Sequence, residues 1–89
     1  MGWSKGMELE GKKVLVVGLA RTGVAAVRFL KEKGARVSAT EIRPRQELEE
    51  TAREMEEAKV AVEWGGHRTE TFLSQDLIVV SPGVDLAIP

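Results

Sequence analysis

Residues 12–23 of the chain read KKVLVVGLARTG, and this stretch decides the fold. Its centre, residues 14–17, is a short apolar run rich in valine, which predicts a buried strand that ends at Gly18. Gly23 then opens a segment with helical periodicity. A strand, a glycine turn and a helix in this order are typical of the first unit of a nucleotide-binding α/β domain.

The sequence after this stretch predicts three more strands separated by helices. Apolar side chains recur with a period near 3.6 residues through positions 22–33, and Gly34 stands where a left-handed residue ends a helix. Further strands are predicted at residues 35–40, 60–64 and 76–80. The last of these, DLIVV, is nearly continuous in apolar residues and is expected to be buried.

Two further helices are predicted between the later strands. Pro44 suits the first turn of one helix, which carries an apolar stripe formed by Leu48, Ala52 and Met55. A short helix at residues 69–74 is expected to turn Phe72 and Leu73 inward.

The resulting order, β-α-β-α-β-α-β, predicts the α/β class and a Rossmann-like, doubly wound parallel sheet with strand order 3-2-1-4. We expect residues 1–11 to be a flexible leader and residues 12–89 to be the nucleotide-binding domain. Because doubly wound sheets usually continue beyond four strands, we expect this unit to be truncated before its last strand and to be the N-terminal part of a longer protein.

Composition narrows the classes of function. Thirteen basic and fourteen acidic side chains give a net charge of −1, so no overall positive field favours nucleic acid or a membrane surface. The chain has no cysteine and a single histidine, His67, which argues against a metal site built on thiolates or clustered imidazoles. No apolar segment has the length of a signal peptide core or a membrane span, and we expect a cytoplasmic protein.

The glycine loop is the first candidate binding segment. It has the spacing G-x-A-x-x-G, in which Ala20 stands where the dinucleotide fingerprint has its second glycine. Backbone amides at the start of the following helix would point at an anion, and Arg21 and Thr22 would add side-chain donors. Two simpler interpretations stay open: the glycines serve only close packing, and Thr22 is only the helix cap.

Two more segments are expected at the same edge of the sheet. Glu41 lies 23 residues after Gly18 (41 − 18), near the position of the acidic residue in the fingerprint, and Arg43 follows it. Ser81-Pro82-Gly83 forms a sharp turn after the fourth strand, which strand order 3-2-1-4 places beside the glycine loop. The simpler interpretations are solvated charges at Glu41 and Arg43 and an ordinary strand-ending turn at residues 81–83.

No arrangement of residues predicts catalysis within this chain. The sequence contains no nucleophile–histidine–acid set, no paired carboxylates and no P-loop, and a lone His67 in a polar loop is more often structural or solvated. We therefore predict a binding domain with no catalytic and no metal-ligating residue. Besides a nucleotide-binding ligase domain, an NAD(P)-binding domain of an oxidoreductase or a redox-sensing module remains an alternative, as does a pure interaction domain.

Four segments together resemble the N-terminal domain of the Mur ligase family: GKKVLVVGLARTG, TEIRP, GGH and DLIVVSPGV. The resemblance runs from about residue 9 to residue 89 and is strongest to the members that add D-glutamate. It implies a domain that holds the UDP moiety of UDP-N-acetylmuramoyl-L-alanine. Two residues depart from the family pattern, Ala20 in place of a glycine and Ile42 in place of a polar residue near uracil.

The resemblance also assigns roles to individual positions. It implies that Arg21 and Thr22 lie near the diphosphate, that Glu41 and Arg43 flank uracil, and that the turn at residues 81–83 closes on the nucleotide. The predicted substrate-binding residues are Gly18, Ala20, Arg21, Thr22, Gly23, Glu41, Arg43, Ser81 and Gly83.

For the full-length protein the resemblance implies an ATP- and Mg²⁺-dependent ligase of peptidoglycan biosynthesis, and hence a role in cell shape and division. It implies that the ligase forms an acyl phosphate on the substrate's carboxylate, which D-glutamate then attacks. The ATP, metal and D-glutamate sites would lie in the central and C-terminal domains of the same chain. We therefore expect these 89 residues alone to be inactive as a ligase.

Overall fold

Four parallel strands form the centre of the molecule, whose computed structural model describes residues 8–66 and 68–81. The strands are β1 (Lys13–Val17), β2 (Arg36–Glu41), β3 (Ala61–Trp64) and β4 (Leu77–Val80). They lie in the order β3-β2-β1-β4, which confirms the predicted order 3-2-1-4. The register places Val17 beside both Thr40 and Val80, so the carboxyl ends of three strands meet at one edge.

The strands are connected by helices, as the alternating pattern predicts. The helices are α1 (Arg21–Glu32), α2 (Glu49–Glu57) and the short α3 (Thr69–Leu73). The helix α1 ends as expected at Gly34, which has φ +83° and donates its N–H to the Lys31 carbonyl. The N–H of Ala35 bonds to the Leu30 carbonyl, and the two bonds together form a Schellman motif.

The helix α2 ends with the same motif, but a lysine occupies the left-handed position. Lys59 has φ +60° and donates its N–H to the Glu56 carbonyl, while the Val60 N–H bonds to the Met55 carbonyl. Val60 and Met55 are both buried, which supplies the apolar contact that accompanies this motif. The Schellman motif at the end of α2 is therefore complete, although lysine is disfavoured in the left-handed conformation.

The expectation that Pro44 lies in the first turn of the second helix is wrong. Pro44 has extended backbone angles and precedes a separate 3₁₀ turn, Arg45–Glu47. Leu48 has non-helical backbone angles, φ −135° and ψ +48°, which separate the 3₁₀ turn from α2, and α2 begins at Glu49. Pro44 therefore precedes the 3₁₀ turn as its N-cap. The predicted apolar stripe of the second helix could not reveal the break between this turn and α2.

The main core lies on the face of the sheet that α1 and α2 cover. Strand residues on this face, such as Val14 and Val16, pack with Val27 and Leu30 of α1 and with Met55 of α2. Alternate strand residues point to opposite faces, so this face takes every second side chain of β1 and β2. Val27, Leu30 and Met55 are thus buried as the periodicity predicts, but Phe29, also on the apolar face predicted for α1, is 47% exposed.

The opposite face is covered less completely, and the expectation of a buried fourth strand is wrong there. Leu15 is fully buried on this face, but Ile78 and Val80 of β4 are 40% and 39% exposed. β4 pairs only with β1 among the described strands, and α1 and α2 both lie on the other face. An apolar run does not distinguish a strand buried on two faces from one whose second face is open.

The expectation that Phe72 and Leu73 both turn inward is wrong for Leu73. Phe72 is half-buried, but the Leu73 side chain is 80% exposed. The short helix α3 therefore turns only one of these two adjacent apolar side chains toward the protein.

Residues 8–11, the end of the predicted leader, contact the folded domain. Leu9 packs against the main core, and the Gly11 N–H donates to the Gly34 carbonyl over 2.9 Å. Residues 1–7 lie outside the described part of the chain.

Candidate functional site

The glycine loop leaves β1 through a left-handed turn. Gly18 has φ +92°, and its N–H donates to the Thr40 carbonyl at 2.8 Å, so the turn stays attached to the neighbouring strand. Leu19 then places its side chain in the main core with 2% exposure, while Ala20 is exposed. Sequence reasoning missed Leu19 as a core residue, although an apolar side chain inside a polar loop was the available signal.

Gly23 brings the start of α1 against this loop. A Cβ atom on Gly23 would lie 1.9 Å from the Gly18 carbonyl oxygen and 2.9 Å from the Gly18 carbonyl carbon. No side chain fits at that separation without a shift of the backbone, so Gly23 has a packing role. A packing role does not compete with a binding role, because close packing is what brings the first amides of α1 to the edge of the sheet.

The N-terminus of α1 carries no side-chain cap. Its N-cap is Ala20, so the alternative that Thr22 is the helix cap is wrong. The first bond of the helix runs from the Val24 N–H to the Ala20 carbonyl, and the amides before Val24 precede this i to i−4 pattern. The first turn contains no acidic residue. The positive end of the helix dipole is therefore not neutralised by a carboxylate in its own first turn.

Ser81, the residue that follows β4, lies against this helix start. Thr22 Oγ1 lies 3.0 Å from Ser81 Oγ, and the two hydroxyls share a hydrogen bond. The Ser81 N–H donates to the Val17 carbonyl at 2.9 Å, and Ser81 is 3% exposed. The predicted convergence of these two loops is confirmed. Pro82 and Gly83 lie outside the described residues, as does His67, so their predicted roles stay predictions.

Glu41 is the most densely bonded side chain at this edge. Its Oε1 accepts the Leu19 N–H at 2.7 Å and an Nη2–H of Arg43 at 3.3 Å. Its Oε2 accepts the backbone N–H of Arg43 at 2.9 Å and Nε–H at 3.0 Å. Glu41 is 3% exposed, so the alternative of a solvated charge is wrong for this residue. The side chain of Arg43 is 45% exposed and extends toward solvent.

These bonds determine the protonation of the pair. Burial disfavours the charged form of the Glu41 carboxyl, but bonds from the Arg43 side chain, the Arg43 N–H and the Leu19 N–H outweigh it. The pKa of Glu41 is therefore held below its usual value, and the same carboxylate raises the pKa of Arg43. The pair is ionised at neutral pH.

Those of the predicted residues that the structure describes thus meet at the carboxyl ends of β1, β2 and β4. The Thr22–Ser81 pair joins two of the three segments, and the bond from Leu19 to Glu41 joins the glycine loop to the third. Ala20 and Arg21 lie on the exposed side of the loop. Direct contact of any of these residues with a ligand stays a prediction.

The sequence analysis did not identify one buried polar residue near this edge, Thr40. Thr40 is fully buried, and its Oγ1 has no hydrogen-bond partner among the described residues. Its register partner on β3 is Glu63, whose Oε1 is likewise buried without a partner in that part of the chain. Glu63 Oε2 accepts the hydroxyl of Thr71, which connects α3 to the sheet.

The parallel order β3-β2-β1-β4, the glycine turn and the uncapped helix start define the Rossmann-like class of α/β domains. A solved structure named SirC, precorrin-2 dehydrogenase, has the same fold. It matches with a TM-score of 0.68 and 23% identity over 91% of this chain and 39% of that one. At this identity the likeness establishes the architecture alone.

Sequence comparison identifies the family. Residues 12–89 match the family described as "Mur ligase MurD-like, N-terminal domain", so the chain belongs to this family. It is 51% identical over 82 residues to the UDP-N-acetylmuramoylalanine–D-glutamate ligase of Geotalea daltonii. It is 53% identical over 83 residues to the ligase of the same name from Acidobacterium capsulatum. These matches cover 92% and 93% of this chain but 18% of each relative.

None of the helices at residues 8–66 and 68–81 is long and apolar enough to cross a membrane. Within the same ranges, no three histidine, cysteine, aspartate or glutamate side chains are grouped as a metal ion would require.

Proposed function

We propose that this domain binds the UDP moiety of UDP-N-acetylmuramoyl-L-alanine, as the N-terminal part of a ligase that joins D-glutamate to that substrate. Family membership and relatives at 51% and 53% identity support this proposal. The chain spans about a fifth of the length of those relatives, so the reaction itself is proposed for the full-length protein.

The observation that carries the proposal is the uncapped start of α1 beside two hydroxyl groups. Amides that precede the first helical bond point out of the helix start, and Thr22 Oγ1 and Ser81 Oγ lie at the same place. An anion at such a position accepts hydrogen bonds from amides and hydroxyls and interacts favourably with the helix dipole. The diphosphate of UDP has the charge and the oxygen acceptors that this arrangement favours, and Arg21 lies close enough in sequence to add a cation.

The nucleoside is proposed to lie toward the end of β2. The guanidinium of Arg43 is held by Glu41 through Nε and Nη2 and remains 45% exposed. A planar cation in this position can stack on a base or donate its remaining N–H groups to a uracil carbonyl. Gly83, which lies outside the described residues, completes the proposed contact set as the sequence predicts.

In the full-length protein this domain would hold the nucleotide end of the substrate while ATP and Mg²⁺ activate the carboxylate at the other end. The activation would take place in further domains of the same chain. The residues of the present domain would bind and orient and would transfer no proton. We propose that the full-length enzyme acts in the cytoplasm in the synthesis of a peptidoglycan precursor.

The proposal is tested by titrating the ¹⁵N-labelled chain with UDP and, separately, with NADH, while backbone amide signals are recorded. We expect UDP to shift the signals of Gly18 to Gly23, Glu41 and Ser81, and NADH to bind more weakly. Stronger binding of NADH would overturn the proposal in favour of an NAD(P)-binding domain. The absence of shifts with either ligand would favour an interaction domain.

A matched pair of variants sharpens the test. Arg43→Ala removes the proposed nucleoside contact, whereas Arg53→Ala removes the same charge from an exposed position on α2. We expect Arg43→Ala to weaken UDP binding about tenfold or more, the usual effect of losing a charge-assisted hydrogen bond, and Arg53→Ala to leave it unchanged. If both variants weaken UDP binding equally, UDP binding depends on the net charge of the domain and not on a contact with Arg43.

A further inference from the structure

The carboxylate of Glu41 is fully engaged within the chain. An ionised carboxylate offers about four acceptor positions, two on each oxygen. In this structure Oε1 accepts from Leu19 and Arg43, and Oε2 accepts twice from Arg43. A ribose hydroxyl or a base N–H could be accepted only if one of these bonds were released.

We propose that Glu41 is a positioning residue, which holds the glycine loop and Arg43 in their binding geometry and does not itself contact the nucleotide. This inference rests on the proposed nucleotide-binding function and assigns Glu41 a role other than the direct contact predicted from the sequence. Two observations carry it: the bond to the Leu19 N–H and the three bonds to Arg43.

The bond to Leu19 connects Glu41 to the anion-binding end of the site. Leu19 lies between Gly18, whose N–H is tied to β2, and Ala20, which is the N-cap of α1. The Leu19 side chain is buried in the core and its N–H is bound to the carboxylate, so the loop is fixed at both its side chain and its backbone. Because the carboxylate is buried, this bond is electrostatically stronger than it would be in water.

The bonds to Arg43 connect the same carboxylate to the nucleoside end. Nε–H and one Nη2–H of Arg43 are directed at Glu41, which leaves three of its five N–H donors for other partners. A half-exposed arginine would otherwise sample many rotamers, and ordering it only when a ligand binds would cost affinity. One carboxylate thus orients both halves of the proposed site.

The test uses two probes, UDP and inorganic pyrophosphate, which share the phosphates but not the nucleoside. If Glu41 only positions the loop and Arg43, Glu41→Gln weakens the binding of both probes, by about tenfold for pyrophosphate through the loop alone. If the carboxylate instead contacts uracil or ribose, Glu41→Gln weakens UDP binding and leaves pyrophosphate binding unchanged, which would overturn the proposal. Glu57→Gln, at an exposed position on α2, is the control for the loss of one negative charge.

A spectroscopic measurement tests the same bond without a ligand. In the free protein, the Leu19 amide proton should resonate downfield and move upfield in Glu41→Gln, because a charged acceptor is replaced by a neutral one. If Glu41→Gln does not fold, Glu41→Asp serves instead, since it keeps the charge on a shorter side chain that should lose its bond to Leu19 or to Arg43. An unchanged Leu19 signal in folded Glu41→Gln, or unchanged amide signals of both Leu19 and Arg43 in Glu41→Asp, would overturn the proposal.

The outcomes also separate this inference from the proposed function. If the unaltered chain binds pyrophosphate but not UDP, UDP recognition fails, while the effect of Glu41→Gln on pyrophosphate still decides whether Glu41 positions the loop. If UDP binds and Glu41→Gln changes only UDP affinity, the proposed function stands and the positioning role is overturned.

Discussion

Adding one methyl group at Gly23 should disrupt the junction between α1 and the glycine loop. In Gly23→Ala the new Cβ would lie 1.9 Å from the Gly18 carbonyl oxygen, whereas ordinary contact begins near 3.4 Å. The separation must therefore increase by about 1.5 Å (3.4 − 1.9). The loop cannot easily move away, because the Gly18 N–H bonds to Thr40 and the Leu19 N–H bonds to Glu41.

The expected cost follows from general measurements of overpacking. Inserting a methyl group into a packed site costs about 1–3 kcal/mol and occasionally more, while replacing glycine by alanine in a helix recovers at most about 1 kcal/mol. Because the clash is with backbone, we expect a net loss of about 2–3 kcal/mol. A chain of 89 residues has a total stability of about 4–13 kcal/mol, so the melting temperature should fall by about 10–20 °C.

The assay is urea and thermal unfolding followed by circular dichroism at the helix band. Gly65→Ala is the matched control, because Gly65 has φ +84° but a Cβ there would meet no atom of the described residues within 4 Å. This variant carries only the cost of a left-handed alanine, about 1–2 kcal/mol. A smaller loss of stability for Gly23→Ala than for Gly65→Ala would refute the argument that contact with Gly18 requires glycine at position 23.

Three further predictions concern stability. Lys59→Gly should raise the free energy of unfolding by about 1 kcal/mol in urea titrations, because φ +60° favours glycine; an unchanged value would contradict this. Thr40→Val should stabilise by about 1 kcal/mol, since the buried hydroxyl has no partner among the described residues; a lower melting temperature would show that it bonds elsewhere. The lowered pKa of Glu41 means that its ionised form stabilises the fold above about pH 4.5 and that this contribution is lost as pH falls through the folded-state pKa. The stability difference between the unaltered chain and Glu41→Gln, measured by unfolding at several pH values, should therefore shrink below about pH 4.5, and a constant difference would contradict the reasoning.

Much of the candidate site was predictable because its segments follow strands. Residues after parallel strands meet at one edge, so the spacing of Gly18, Glu41 and Ser81 was enough to predict convergence. The particular bonds were not predictable. Whether Glu41 faces solvent or accepts the N–H of a residue 22 positions earlier depends on how β2 and the loop are packed, which no local pattern records.

The limits of prediction in the fold have a similar origin. Of the predicted stripe at Leu48, Ala52 and Met55, Ala52 and Met55 are buried, but the stripe could not show that Leu48 precedes a break and that α2 begins at Glu49. The same holds for β4, where DLIVV predicted a strand but not the exposure of Ile78 and Val80.

The sequence by itself determined the strands, the helices, their order and the family of this domain, because these depend on periodicity, turn residues and motifs that are local along the chain. Only the tertiary structure decided that Gly23 must lack a side chain against Gly18, that Thr22 pairs with Ser81, and that the Glu41 carboxylate is occupied within the chain. The physical reason is that each of these depends on atoms distant in sequence, whose separation is set by packing across the sheet.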